Sequence, residues 1–192
     1  KIPEIGMSDR AYLNDDYSIG MIVGPSGSGK SSLLEQFGKE EKLDWDQDKS
    51  IASHFESADD AIDRLGAVGF NSVPSWMRPY HVLSNGEQFR ADLARKLKDG
   101  AVIDEFTSVV DRNVAKSCAM ALRKYVNKKG LKNLTFASCH YDIIEWLQPD
   151  WVYDTVAQEV LPRGSLQQPK IEVEMLPCSI NAWEMFRDHH YL

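Results

Sequence analysis

Long apolar runs are missing from this chain: no stretch approaches the roughly 18 residues that a membrane-spanning helix needs. No basic-then-apolar leader opens the sequence either. Cysteine is scarce. Cys118, Cys139 and Cys178 are scattered, odd in number and without metal-ligand spacing. They read as reduced thiols, not as a disulfide framework or a metal site. Positive charge is in deficit, with a formal net charge of −7. A diffuse acidic surface disfavours non-specific nucleic-acid binding, which comes mainly from neutralising phosphates, although it leaves room for a local basic patch. Internal repeats and low-complexity tracts are absent. The expectation is a soluble, cytoplasmic protein.

What is present is enough for a packed domain. The 192 residues allow one domain, or one plus a short appendage, and a hydrophobic content of 43% is ample for a core. Strands and helices alternate. Ile19–Val23 is a short apolar run ending in glycine, so a buried strand. Lys30–Phe37 carries Leu33, Leu34 and Phe37 at helical spacing and stops at Gly38. Ile51–Phe55 reads as a second strand. Ser57 caps a helix through Leu65, with Asp60 completing a capping box. Residues 66–79 read as a loop, 87–98 as a helix, 101–103 as a strand and 113–127 as a helix closed by Gly130. Leu134–Ser138 is a strand, 141–147 a helix, and 151–156, 158–161 and 171–176 are strand-like. The alternation predicts an α/β fold, a mostly parallel sheet flanked by helices. Residues 1–162 form the expected domain. Residues 163–192 read as a linker and C-terminal extension leading to a domain not present.

The residues GPSGSGKSS at Gly24–Ser32 fit G-x-x-x-x-G-K-[ST] without a mismatch. Gly24, Pro25, Ser26, Gly27, Ser28 and Gly29 form a turn whose glycines let successive N–H groups face phosphate oxygens. Lys30 would reach the β- and γ-phosphates, Ser31 would hold Mg²⁺, and Ser32 completes the nucleotide-binding set. The alternative is a flexible Ser/Gly turn, which needs no lysine and serine at those two places. The motif alone gives a nucleotide binder shared by kinases, GTPases and ATPases.

Three further segments narrow that choice. In AVIDEFTSVVD (101–111) an apolar strand delivers Asp104 to its carboxyl end as a Mg²⁺ ligand, with Glu105 placed to polarise an attacking water. An ordinary acidic strand-end turn would look similar. In LSNGE (83–87), Ser84, Asn85, Gly86 and Glu87 begin a helix, and Ser84 with Glu87 makes a capping box. A well-capped helix would account for it. A capped N-terminus is also an anion site, which could face a phosphate of ATP held by a second subunit. His140 follows the Leu134–Ser138 strand and could donate to the γ-phosphate. Ser108–Asp111 would cross to the partner subunit.

These pieces, in this order, resemble the ABC ATPase family. In its terms Gly24–Ser32 is Walker A, Leu83–Glu87 the signature, Ala101–Glu105 Walker B, Ser108–Asp111 the D-loop and His140 the switch histidine. The resemblance covers about residues 19 to 154 and implies a P-loop NTPase fold. It also implies ATP hydrolysis with ATP and Mg²⁺, catalytic roles for Glu105 and His140, and a head-to-tail dimer with two ATPs sandwiched between copies. The tail AWEMFRDHHYL (182–192) and VPSWMRPYHVLSNGE (73–87) resemble bacterial and phage ABC-type ATPases joined to a GNAT-class acetyltransferase, which implies a fused or associated effector domain.

The chain departs from the family pattern in places. His54 stands where the Q-loop glutamine is usual, Gln47 lies in an acidic loop, and the signature reads Ser-Asn-Gly-Glu. Glu87 resembles the repair and chromosome-maintenance ATPases more than the transporters. Only roughly fifty residues separate Lys30 from Ser84, which implies a shortened helical subdomain. The segment before Gly24 is short, with Tyr12 and Tyr17 its nearby aromatics, so a fragment of a longer protein is expected. The expected function is an ATP-driven dimerisation switch. A transporter subunit, a regulatory module with little turnover and a P-loop kinase stay open beside it. The basic residues Arg90, Arg95, Lys96, Lys98 and those of 123–132 read as solvated helix faces in preference to a nucleic-acid patch. His189-His190 stands without a surrounding ligand pattern and does not read as a metal pair.

Overall fold

A computed structural model describes residues 17–162. The expectations for Tyr12, Cys178, the strand at 171–176, His189-His190 and the 163–192 extension lie outside the described residues.

Five strands form one sheet in the order β2-β3-β1-β4-β5. They are β1 (Ile19–Val23), β2 (Val102–Ile103), β3 (Leu134–Ser138), β4 (Trp151–Asp154) and β5 (Glu159–Pro162). β1 pairs in parallel with both β3 and β4, β2 pairs in parallel with β3, and β5 closes the edge antiparallel to β4. All residues of β1 and β3 are buried. Strands covered on both faces need continuous apolar or small residues, which is why these runs lack polar alternation.

The two faces of the sheet carry separate cores. Ile19, Met21 and Val23 point into the larger one, with Leu65, Leu93, Leu122 and Phe136. It is covered by α2 (Ala58–Ala67), α4 (Asn85–Lys96) and α5 (Arg112–Lys129). Ile22 faces the smaller core with Leu33, Leu34, Ala137 and Tyr153, beneath α1 (Lys30–Leu34). Gly20 shares that face. A Cβ there would lie 2.1 Å from the Trp151 ring, so only glycine lets the indole lie flat on the strand. Trp151 also stacks on Phe37 with ring centroids 5.3 Å apart. Two further α-helices are short, α3 (Val73–Trp76) and α6 (Ile143–Leu147). No helix among the described residues is long and apolar enough to cross a membrane.

Several sequence expectations are corrected. Ile51–His54 is a 3-10 turn, not a strand. Its position is set by distant contacts: Ile51 N–H donates to the Arg78 carbonyl at 3.0 Å, and the Ile51 side chain is fully buried in the larger core. The expected loop at 66–79 holds the end of α2 and the one-turn α3, whose Trp76 indole N–H donates to the Phe70 carbonyl at 2.9 Å. The Ser57/Asp60 capping box is only half made. Ser57 Oγ accepts from the Asp60 N–H, but the Asp60 carboxylate turns to Arg64, 2.7 Å away. The helix after the Gly24–Ser32 loop ends at Leu34 and continues only as turns to Phe37.

Candidate functional site

The parallel register brings the carboxyl ends of four strands to one edge: Val23 stands opposite Ser138 and Asp154, and Ile103 opposite Phe136. The loops leaving β1, β2, β3 and β4 therefore meet there, where open α/β sheets bind ligands. A cavity of about 310 Å³ lies at that edge, within the usual range for small-molecule sites. It is lined by Ser26, Gly27, Gly29, Lys30, Ser31 and Ser32 from the first loop, Asp104, Glu105 and Ser108 from the second, and Cys139 from the third.

The first loop is built by glycines with positive φ. Gly27 (φ 77°) and Gly29 (φ 89°) adopt left-handed conformations that side chains resist. Gly29 is the N-cap of α1, and the Leu33 N–H donates to its carbonyl at 3.0 Å. Pro25 is exposed and outside the cavity lining, but its carbonyl accepts from Lys30 Nζ at 2.8 Å. The ammonium is thus folded over its own loop and presented to the cavity. Gly24 is buried beneath, and the Ser28 hydroxyl accepts from Thr155 Oγ1 at 2.8 Å.

The Asp104-Glu105 pair is set by backbone strain. Glu105 has φ 47° and Thr107 φ 67°. Left-handed backbone costs non-glycine residues about 1–2 kcal/mol each, and is least expected for a β-branched one. Packing between them fixes the turn. Phe106 is fully buried, its N–H donates to the Ala137 carbonyl at 2.8 Å, and its carbonyl accepts from Ser138 Oγ at 3.0 Å. The result aims an exposed Glu105 into the cavity beside Asp104, whose Oδ1 accepts the Glu105 N–H at 2.8 Å. The Ser31 hydroxyl and the Asp104 carboxylate are hard oxygen donors in one cavity, the set a Mg²⁺ ion takes.

His140 is half-buried and follows the lining residue Cys139, but is not itself part of the lining. Its N–H donates to Ser138 Oγ at 3.1 Å. His54, at the position expected to replace the Q-loop glutamine, is engaged elsewhere. Its Nδ1 faces the Ser50 carbonyl at 2.9 Å, its Nε2 accepts the Asp46 N–H at 3.0 Å, and its ring edge meets Trp45.

Ser84, Asn85, Gly86, Glu87 and Asp111 lie outside the lining of this chain's own cavity. Ser84 caps α4 in the reciprocal box expected from the sequence. Glu87 Oε2 accepts the Ser84 N–H at 3.0 Å and the Ser84 hydroxyl at 2.9 Å, and Oε1 accepts from Ser75 at 2.8 Å. The Ser84 N–H, with the Ser75 hydroxyl, holds the Glu87 carboxyl below the usual carboxylate range. Asp111 caps α5 by accepting the Asn113 and Val114 N–H groups at 2.9 and 3.0 Å. Val110 packs beside Gly86, so the two segments share one surface. Most of the basic residues are used internally: Arg90 bonds the Gly86 and Gly69 carbonyls, Arg95 the Asp44 carbonyl, and Lys96 and Lys98 pair with Glu40 and Glu41. Arg123 pairs with Asp150, and Lys128 and Lys129 with Asp63.

Ser108, the first residue of the segment expected to cross to a partner subunit, lines this chain's own cavity. Cys139 and Thr155 also belong to this edge and were not singled out as site residues in the sequence. Their only sequence signal is that each follows the carboxyl end of a strand.

No protein-family model and no curated protein matches the sequence. Solved structures match in fold. The dimeric structure of MJ0796, a bacterial ABC transporter cassette, matches with a TM-score of 0.55 at 16% identity, covering 74% of this chain and 83% of that one. The same cassette in a post-hydrolysis state bound to ADP and Pi matches with a TM-score of 0.56 at 17% identity, covering 78% and 85%. The archaeal ribosome recycling factor aABCE1, in complex with the stalk protein aP1, matches with a TM-score of 0.55 at 16% identity, covering 72% of this chain and 36% of that one. The fold is an α/β P-loop NTPase fold like that of the ATP-binding cassettes. At these identities the likeness carries the fold alone.

Proposed function

We propose that this chain binds and hydrolyses ATP as an ABC-type ATPase, and that ATP joins two copies head to tail. The observation that carries the reading is the single cavity gathering Lys30, Ser31, Asp104 and Glu105 at the carboxyl edge of the sheet. In this reading the N–H groups of the Gly24–Ser32 loop receive the triphosphate, and Lys30 leaves the Pro25 carbonyl for the β- and γ-phosphates. Ser31 and Asp104 would hold Mg²⁺, which when bound neutralises charge on the phosphate oxygens. Glu105 accepts a proton from a water whose oxygen attacks the γ-phosphorus. The bond to the bridging oxygen then breaks, leaving ADP and phosphate. His140 steadies the γ-phosphate from the neighbouring loop.

The second copy supplies the surface that this chain's own cavity does not use: Ser84, the Gly86 N–H and the segment around Asp111. Ser84 donates its proton to Glu87 in the free chain, so contact with a γ-phosphate would redirect that hydroxyl while Glu87 keeps the helix capped. Loss of the γ-phosphate then releases the pair. The dimeric cassettes among the similar structures support this arrangement.

Chromatography of Glu105→Gln with and without ATP·Mg²⁺ tests the reading. An ATP-dependent dimer is expected, with phosphate release well below wild type. Equal release by wild type and Glu105→Gln would remove the catalytic role of Glu105, and a protein monomeric with ATP would remove the switch.

A further inference from the structure

The turn after β4 shares the carboxyl edge with the Gly24–Ser32 loop. Thr155 extends the parallel register, its N–H donating to the Val23 carbonyl at 2.9 Å. Its hydroxyl reaches Ser28 Oγ at 2.8 Å, across 127 residues of sequence. Gly24 makes the approach possible: a Cβ there would lie 1.8 Å from Thr155 Oγ1. The turn itself is braced. Asp154 Oδ1 accepts the Val156 N–H at 2.8 Å and the Tyr141 hydroxyl at 3.0 Å. Tyr141 follows His140 directly, so the brace also borders the third loop of the cavity.

We propose that Thr155 is a positioning residue for the phosphate-binding loop: its hydroxyl fixes Ser28, and with it the N–H groups of Gly27 to Gly29, in the orientation that receives a triphosphate. The inference rests on the ATP reading of this loop. Glycine on both sides of Ser28 leaves the loop tip adaptable, and inside the loop the Ser28 N–H donates to the Pro25 carbonyl at a long 3.3 Å, so a tie from outside adds to its hold. Among the described residues two side-chain bonds tie the loop: Lys30 to the Pro25 carbonyl and Thr155 to Ser28. The first must break when Lys30 turns to phosphate. The second need not, because Ser28 lies outside the cavity lining and neither partner is charged. Thr155 thus remains as the anchor in the bound state, lowering the ordering cost that weakens binding.

Thr155→Val keeps the β-branched shape and the backbone N–H while removing the hydroxyl, and Thr155→Ser keeps the hydroxyl. The whole chain is titrated with ATP·Mg²⁺ by calorimetry, and hydrogen exchange at the Gly27, Ser28 and Gly29 amides is followed by NMR in the free protein. Thr155→Val should bind ATP about fivefold more weakly, the worth of one neutral hydrogen bond, and exchange faster at those amides. Thr155→Ser should match wild type in both. Ser28→Ala should weaken binding similarly, and the Ser28→Ala/Thr155→Val double variant should be no worse than either single one. Wild-type affinity and exchange in Thr155→Val, failure of Thr155→Ser to restore them, or fully additive losses would each overturn the proposal. If wild type itself binds no ATP, the ATP reading falls, and the exchange rates in the free protein still decide whether Thr155 holds the loop.

Discussion

Asp150 joins the start of β1 to α5, and its removal has a calculable cost. Oδ2 accepts the Ser18 and Ile19 N–H groups at 2.8 and 3.0 Å, and Oδ1 accepts Arg123 Nη2 at 3.2 Å. The Arg123 side chain is 11% exposed, and its Nε and Nη1 have no hydrogen-bond partner. Asp150→Ala therefore strands a nearly buried cation as well as two amides at the entry to β1. Breaking a buried pair from one side costs about 3–5 kcal/mol. The Asp150 side chain is 26% exposed, so water reaching it places the cost near the lower end, about 3 kcal/mol. For a domain of this size each kcal/mol moves the melting temperature by about 2–4 °C, so a fall of about 6–12 °C is expected by thermal melting at pH 7. Adding Arg123→Met should recover about half of the loss, because the stranded cation is then gone. Burial opposes ionisation of Asp150, but the Ile19 and Ser18 N–H groups and Arg123 outweigh it and hold the carboxyl below its ordinary value. Stability from a depressed carboxyl is present above the unfolded-state value and is lost as pH falls through the lower folded one. Wild type and Asp150→Ala should therefore converge in acid. A difference below about 2 °C at pH 7, on the same scale, or one that persists unchanged at acid pH, would refute the account.

Two further perturbations follow from the same contacts. Glu87→Ala removes the acceptor of the Ser84 N–H and of two hydroxyls and should cost about 1 kcal/mol, read as lower thermal stability, while Glu87→Gln keeps most of it. An unchanged melt in Glu87→Ala would show that the cap is idle. Gly20→Ala would place a methyl 2.1 Å from the Trp151 ring. Overpacking of about 1–3 kcal/mol should follow, seen as a lower melting temperature with altered tryptophan fluorescence, and a wild-type melt would contradict it.

The sequence was most informative where structure is dictated locally. β1 and β3 begin and end where apolar continuity places them, because strands covered on both faces allow little else. The Gly27 and Gly29 conformations and the Ser84/Glu87 box are also short-range chemistry, and the structure contains both. Residues 51–55 failed because so short a mixed segment, Ile-Ala-Ser-His-Phe, has no helical or strand signature of its own. Its backbone follows Arg78 and its histidine follows Trp45. Asp60 failed as a capping partner because Arg64, one turn along the same helix, competes for its carboxylate. The Thr155 to Ser28 bond was unreadable, since no local pattern announces a contact across 127 residues.

The segment Cys139–Asp142 shows how loops so far apart in sequence are held at one edge. Cys139 lines the cavity, Tyr141 braces the β4–β5 turn through Asp154, and Asp142 pairs with Arg112 at the first turn of α5, with Nε at 3.0 Å. Arg112 follows Asp111 directly and lies over the Trp146 ring, 5.2 Å from its centroid. The third loop is therefore bonded on one side to the turn that holds the first, and on the other to the helix that ends the second. Each of these ties is modest alone, as partly exposed pairs are. They start from adjacent residues of one short segment, however, so a shift of any loop at this edge must move the other two or break a bond. That mutual constraint acts on the short segment that carries His140, which itself contributes only its N–H bond to Ser138 Oγ.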